Sequence, residues 1–256
     1  LYPKGKVSKV QEQQLTTLGQ NITALEVDGV FDDCQDMVKT AFLDKEITTT
    51  RKLTSANSIN VARWLPQMLY YFIAYRQLAE RKQPLVFSVP SGNFGNICAG
   101  MMGQNMDLPI DHFIAATNIN DAVPTYLETG EYAAVKTTPT ISNAMDVGDP
   151  SNFVRIQKIY GNNFTQLKDH LSGYRFTDDT TRKAMKEIYN TSSYIADPHG
   201  AVGYLGLKEY LKQHPEKYGV FLETAHPVKF LDTVEETLEM EVPMPERIQS
   251  LLDKEK

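Results

Sequence analysis

The chain is short of cysteine. It has two in 256 residues, Cys34 and Cys98, far apart. That excludes a disulfide framework, and no Cys/His group has zinc spacing. Two reduced, partly buried thiols in a cytosolic protein are expected instead. No metal site is expected. Long apolar runs are missing too: none approaches the roughly 18 residues that span a bilayer. There is no secretory leader and no transit-peptide composition. Positive charge is not in excess, with 26 Lys+Arg against 32 Asp+Glu and a net charge of −6. That argues against a partner with a nucleic-acid backbone, while leaving room for a local basic pocket. Internal repeats and low-complexity tracts are absent. No GK[ST] follows a glycine loop, and no G-x-G-x-x-G is present, which excludes the P-loop and the dinucleotide fingerprint.

What is present is a chain of ordinary globular composition, 41% hydrophobic and 23% charged, long enough for one large domain or two smaller ones. It opens Leu1-Tyr2-Pro3-Lys4-Gly5, without an initiator Met and without a polar lead-in. LYP reads as the end of a buried strand, so upstream residues are expected.

Strand-like and helix-like stretches alternate, which implies a mostly parallel α/β sheet. Val7 to Leu18 reads as a helix with Gly19 as its stop, NITALEVDG as a strand, and FDDCQDMVKTAFLD as a helix. Ser58 to Arg81 reads as one long helix with a broad stripe of Trp64, Leu65, Met68, Leu69, Phe72 and Ile73, expected to pack in the core. PLVFSV is a strand, Asn96 to Met106 a helix, HFIAAT a strand, and Asp121 to Thr129 a short helix. Residues 131 to 153 read as an irregular, functional stretch. Arg155 to Ile159, Phe164 to Leu171, Asp178 to Asn190 and the segment from about Ala201 read as helices. YGVFLET is a strand and VKFLDTVEETL a last helix. The expected division is a partial smaller α/β subdomain over 1–60 and a larger one over 61–256.

Three stretches could carry chemistry. SGNFGN (Ser91, Gly92, Asn93, Phe94, Gly95, Asn96) lies between a strand and a helix. A helix N-terminus gathers unpaired N–H groups and favours phosphate, and glycines let the backbone come close. Asn93 and Asn96 add side-chain donors. The same pattern also serves as an ordinary turn. The second stretch, Ser55 to Arg63, puts Asn57 and Ser58 ahead of Arg63, which could pair with a phosphate. A plain helix cap with Arg63 in solvent is the competing account. The third, Leu222 to Phe230, lies at the end of a buried strand, where open α/β sheets bind ligands. There Thr224 and His226 could equally satisfy local backbone.

Taken together, SGNFGN, TSANSIN with the NSxNxxR pattern at Asn57 to Arg63, ATNxND at Ala116 to Asp121, SNAMDxxxPSNF at Ser142 to Phe153, DPHxAVGY at Asp197 to Tyr204 and ETAHPxKF at Glu223 to Phe230 resemble the threonine synthase family in its longer microbial and fungal form. The resemblance runs in order over nearly the whole chain. It implies an α/β, fold-type-II pyridoxal-phosphate enzyme, with open, mostly parallel sheets flanked by helices, here truncated at its N-terminus. The implied cofactor is pyridoxal 5′-phosphate and the implied substrate O-phospho-L-homoserine. The reaction removes the α-proton, eliminates phosphate and adds water to give L-threonine. By the resemblance, Ser91 to Asn96 would hold the cofactor's 5′-phosphate and Thr224 would hydrogen-bond its ring nitrogen. Asn57, Ser58 and Arg63 would hold the substrate's phosphate.

The resemblance also shows a departure. The family's Schiff-base lysine sits in a Phe-Lys-Asp context, and no lysine here has it. Lys168 precedes Asp169 but follows Leu167, and Lys229 belongs to the C-terminal motif. The catalytic lysine is therefore expected upstream, the isolated chain is expected to be inactive, and self-association through a truncated sheet edge is expected. The alternatives are a cofactor-phosphate-binding module without catalysis, or another fold-type-II lyase such as a threonine dehydratase or cysteine synthase. The latter substrates lack a phosphate for Arg63.

Overall fold

A computed structural model describes residues 1–58 and 60–255. Along the chain come β1 (Tyr2–Pro3), α1 (Lys9–Thr16), β2 (Glu26–Val27), α2 (Phe31–Leu43) and α3 (Lys45–Thr50). A 3₁₀ turn, Val61–Arg63, leads into α4 (Trp64–Leu78), then β3 (Leu85–Pro90), α5 (Gly95–Gln104), β4 (Ile110–Thr117) and α6 (Ala122–Thr129). Next are α7 (Phe153–Ile159), α8 (Phe164–His170), β5 (Leu171–Arg175), α9 (Asp178–Ser192) and α10 (Pro198–Gln213). The chain closes with β6 (Tyr218–Phe221), α11 (Leu231–Leu238) and α12 (Glu246–Leu252).

These elements form two compact units. The first gathers Leu1–Leu53, Met185–Pro198 and Ala225–Lys256; the second gathers Thr54–Ala184 and His199–Thr224. The expected boundary at residue 60 thus falls at 53/54. Segments 185–198 and 225–256, expected in the larger part, group with the N-terminal one. A boundary read along the chain does not register returns of the chain to an earlier unit.

In the first unit β1 pairs with β2 in parallel, Tyr2 opposite Glu26. The expected strand over NITALEVDG shrinks to Glu26–Val27. Ser8 caps α1 with a reciprocal Ser8/Gln11 capping box. Gly19 follows with φ +63°, a conformation glycine adopts without strain. The α12 helix went unread in the sequence. Gln13, 4% exposed, donates to the carbonyls of Leu252 and Lys254 at its end.

In the second unit the sheet order is β5-β4-β3-β6, every pair parallel. A parallel sheet needs cover on both faces. Alternation along β3 and β4 supplies it. Phe87, Val89, Phe113 and Ala115 face a core shared with Tyr71, Ile97 and Met101 of α4 and α5. Val86 and Ile114 face Leu207 and Tyr210 of α10. Among the described residues no helix is long and apolar enough to cross a membrane.

Two expectations needed correction here. The long helix begins at Trp64, not Ser58, and Ile59 lies outside the described residues. Its stripe is only half core: Trp64 and Met68 are buried with Tyr71, while Leu65, Leu69 and Ile73 are 57%, 53% and 56% exposed. A helix packed on one layer buries one arc, and these residues occupy the next arc round. The second correction is β5, where LSGYR had no strand signal. Its Gly173 weakens the local propensity, and only pairing with β4, Phe113 opposite Leu171, makes it a strand.

His112 on β4 is 7% exposed, with its ring stacked on Tyr210 at 4.9 Å and Nε2 2.9 Å from Ser172 Oγ. Burial lowers its pKa to about 4. The unfolded chain then binds the proton more readily than the folded one. Its neutral ring therefore contributes stability above about pH 6.5, and that contribution is lost as pH falls towards 4. Unfolding free energies from denaturant titration should fall over this window, by roughly 3 kcal/mol for this group. The slope should flatten in His112→Phe.

Candidate functional site

β3 is buried from Leu85 to Val89 and ends at Pro90. Ser91 turns the chain out of the sheet: its amide donates to Ala116 O and its hydroxyl to Val89 O, both at 2.8 Å. Phe94 is the N-cap of α5, left-handed at φ 61°, ψ 15°. That conformation costs a β-carbon-bearing residue about 1–2 kcal/mol. Packing offsets it, since the Phe94 ring is 3% exposed and lies edge-on to Phe153 at 5.9 Å. The first bond back into the loop is Cys98 N to Phe94 O. Among the described residues, the amides of Gly92, Asn93, Phe94, Gly95, Asn96 and Ile97 have no acceptor. A run of consecutive unbonded amides, several of them buried, at a helix N-terminus is the donor set a phosphate monoester requires. The loop therefore fits a phosphate group.

Gly92 and Gly95 are required for different reasons. A Cβ on Gly92 would lie 2.7 Å from Met145 Cα and 3.0 Å from Ala144 O, which are backbone atoms. A Cβ on Gly95 would meet the Ser58 side chain at 2.9 Å. The first neighbour cannot yield without moving the loop around it; the second is a small side chain.

Asn93 and Asn96 differ in what they offer. Asn93 Oδ1 accepts from Ser151 N at 2.7 Å and Ser151 Oγ at 2.9 Å, and Nδ2 donates to Ser58 Oγ at 2.9 Å. Its carboxamide is a clasp that joins the loop, Ser58 and the start of α7. Asn96 Oδ1 accepts from the Tyr71 hydroxyl at 2.7 Å, and its Nδ2 has no partner among the described residues.

Ser58 therefore sits directly against the loop. Asn57 is its neighbour, with its Oδ1 3.2 Å from Ser58 Oγ. Arg63 is exposed, and its Nη1 donates to the Ala56 carbonyl of the same segment. Thr224 is exposed on the exit of β6. β6 pairs with β3, Phe221 opposite Ser88, and Leu222 N donates to Ser88 O at 3.0 Å. Thr224 and the glycine loop thus leave adjacent strands at the same carboxyl edge.

The sequence reading missed Arg155, noting it only as the start of a helix. Its Nη1 donates to Asn152 Oδ1 at 2.9 Å and approaches Ser58 O at 3.5 Å, and its guanidinium lies 5.2 Å from the Trp64 ring centroid. Asn152 Nδ2 in turn donates to Asn93 O at 2.8 Å. A second cation thus stands beside Ser58, positioned by the residues that hold the loop. Its place two residues after PSNF was the available signal.

The irregular stretch is tied down at the same edge. Asp146 accepts from Asn118 Nδ2 at 2.9 Å, Thr140 Oγ1 at 2.7 Å and Thr140 N at 3.0 Å. Burial pushes its carboxyl up to about 6, against the lowering effect of these donors. Asn120 Oδ1 accepts from Thr138 N at 2.8 Å, and Ala144 N donates to His199 Nε2 at 3.2 Å. This network presses Ala144 and Met145 onto Gly92. Among the described residues no His/Cys/Asp/Glu group could hold a metal.

Comparison with known proteins agrees with these features. Residues 1–223 match the family of pyridoxal-phosphate dependent enzymes, and residues 200–256 match the threonine synthase C-terminal family. Threonine synthase of Escherichia coli K12 is 46% identical over 253 residues, covering 96% of this chain and 58% of that protein. The crystal structure of the Escherichia coli protein superposes with a TM-score of 0.94 over 99% of this chain at 44% identity, covering 59% of its own length. A pyridoxal-phosphate-bound threonine synthase from Brucella melitensis superposes at 0.86 and 34% identity, over 99% of this chain and 60% of its own. The chain spans about 58% of the length of the curated relatives it matches.

Proposed function

The chain belongs to the family of pyridoxal-phosphate-dependent enzymes, and from that premise we propose that it carries the two phosphate sites of a threonine synthase. The reaction would convert O-phospho-L-homoserine and water to L-threonine and phosphate, a carbon–oxygen lyase step. The observation that carries this reading is the run of amides from Gly92 to Ile97 at the head of α5, unbonded among the described residues. Pyridoxal phosphate would supply the electron sink for carbanion chemistry at the amino acid.

This chain's own residues would do the holding. The Gly92 to Ile97 amides, with Ser91 turning the backbone and Asn96 adding Nδ2, would bind the 5′-phosphate. The Thr224 hydroxyl would hydrogen-bond the ring nitrogen. A neutral hydroxyl there would favour the charged ring less than a carboxylate would. Asn57, Ser58 and Arg63 would hold the substrate's phosphate, and Arg155 would add positive charge beside Ser58. A substrate dianion is best met by guanidinium and neutral donors. The clasp of Asn93 on Ser58 supports placing the two phosphate sites side by side. Both cysteines are buried free thiols, in keeping with a cytosolic setting.

The family's cofactor-holding lysine has a Phe-Lys-Asp context that this chain lacks. The test is fluorescence titration with pyridoxal 5′-phosphate, alongside an assay of phosphate release from O-phospho-L-homoserine. The chain alone should bind cofactor without turnover. Turnover above a heat-denatured control, abolished by substituting one lysine of this chain, would overturn that assignment. Absence of any phosphate or cofactor binding would overturn the site itself.

A further inference from the structure

Tyr71 is fully buried on α4, its ring 4.9 Å from that of Phe87 and 5.9 Å from that of Phe113. A core of this kind would accept phenylalanine, so the hydroxyl needs another reason to be there. It lies 2.7 Å from Asn96 Oδ1 and 3.1 Å from Asn96 O, at the second residue of α5. Close packing brings it there, because a Cβ on Gly100 would come 2.6 Å from the Tyr71 ring. Burial raises the phenol's pKa well above its usual value, so the hydroxyl stays a neutral donor.

A carboxamide carries its oxygen and its nitrogen on opposite edges. A hydroxyl that donates to the oxygen edge turns the N–H₂ edge away from itself. Asn96 Nδ2 has no partner among the described residues and lies at the same helix end as the unbonded amides. The reversed amide would present an acceptor towards an anion. Asn93 does not share this task, since both edges of its carboxamide are already bonded. We propose that Tyr71 is a positioning residue of the phosphate site, fixing Asn96 so that its Nδ2 donates to the bound phosphate. This rests on the reading of the Gly92 to Ile97 loop as a phosphate site.

The test is a double-mutant cycle on the chain, read by titration with pyridoxal 5′-phosphate and with pyridoxal, which lacks the phosphate. Tyr71→Phe should weaken pyridoxal 5′-phosphate about five- to tenfold, the worth of one oriented neutral hydrogen bond. In an Asn96→Ala background the same change should add nothing. Pyridoxal should bind Tyr71→Phe and the parent equally. Asn96→Asp keeps the oxygen facing Tyr71 and turns a second oxygen to the anion, so it should bind pyridoxal 5′-phosphate more weakly than Asn96→Ala. An equal loss in both backgrounds, a matching loss for pyridoxal, an unchanged Tyr71→Phe, or an Asn96→Asp that binds like the parent would each overturn the proposal. If the parent chain binds neither inorganic phosphate nor pyridoxal 5′-phosphate, the site reading fails and the proposal fails with it. Binding by the parent with any of the preceding results overturns the Tyr71 role alone.

Discussion

A Gly92→Ala variant is expected to bind pyridoxal 5′-phosphate about a hundredfold more weakly than the parent, or to lose binding altogether. Gly95→Ala should lose far less. The two changes add the same methyl group to the same loop, and only the neighbours differ. At Gly92 the new Cβ would lie 2.7 Å from Met145 Cα and 3.0 Å from Ala144 O. Those atoms cannot step aside, because Asp146 is held by Asn118 and Thr140, and Ala144 N is held by His199. The glycine loop must then move, and the amides that should converge on one anion no longer do. Overpacking of this kind costs about 1–3 kcal/mol, and the lost amide geometry adds to it in binding. At Gly95 the methyl would press on the Cβ of one small, half-buried side chain, Ser58, at 2.9 Å, rather than on the backbone of two residues. Side-by-side titrations check the ranking. Equal affinities for Gly92→Ala and the parent would show that the anion does not sit on these amides.

Replacing Arg63 with alanine, in a full-length polypeptide containing this chain, is expected to reduce kcat/KM for O-phospho-L-homoserine by about 30- to 1000-fold. That corresponds to about 2–4 kcal/mol for a charge-assisted phosphate pair. KM should rise most, with a smaller fall in kcat, because a phosphate held in the ground state is also the leaving group. Cofactor affinity should be nearly unchanged, which separates this variant from Gly92→Ala. Arg63 is exposed and donates to the Ala56 carbonyl, so its guanidinium must swing from that bond to a substrate. Arg155 is the internal comparison: it is already bonded beside Ser58, through Asn152 Oδ1 at 2.9 Å. If Arg155→Ala raises KM while Arg63→Ala leaves it unchanged, the substrate's phosphate is held by the cation that sequence reading passed over.

The sequence was informative wherever chemistry is local. PLVFSV is a run of apolar and β-favouring residues, and it became β3. SGNFGN could only be a turn into a helix, and it became the loop before α5. The alternation of such stretches requires a parallel sheet, since parallel strands need crossovers of helical length. A carboxyl edge lined by the loop and Thr224 follows from that order alone.

Tertiary structure decided which donors remain free. Asn93 and Asn96 read alike in SGNFGN, yet one is bonded on both edges by Ser58 and Ser151, and the other has an Nδ2 without a partner among the described residues. Tyr71 carried no signal of its own and Arg155 only its place two residues after PSNF, because their roles depend on what packs beside them. Leu171 to Arg175 became a strand only by pairing with β4. Residues 225–256 joined the N-terminal unit through contacts no linear reading contains. Local propensity is a property of neighbours along the chain. Hydrogen-bond occupancy is a property of neighbours in space, so the motifs marked the candidate stretches and only the fold determined which of their donors are already bonded.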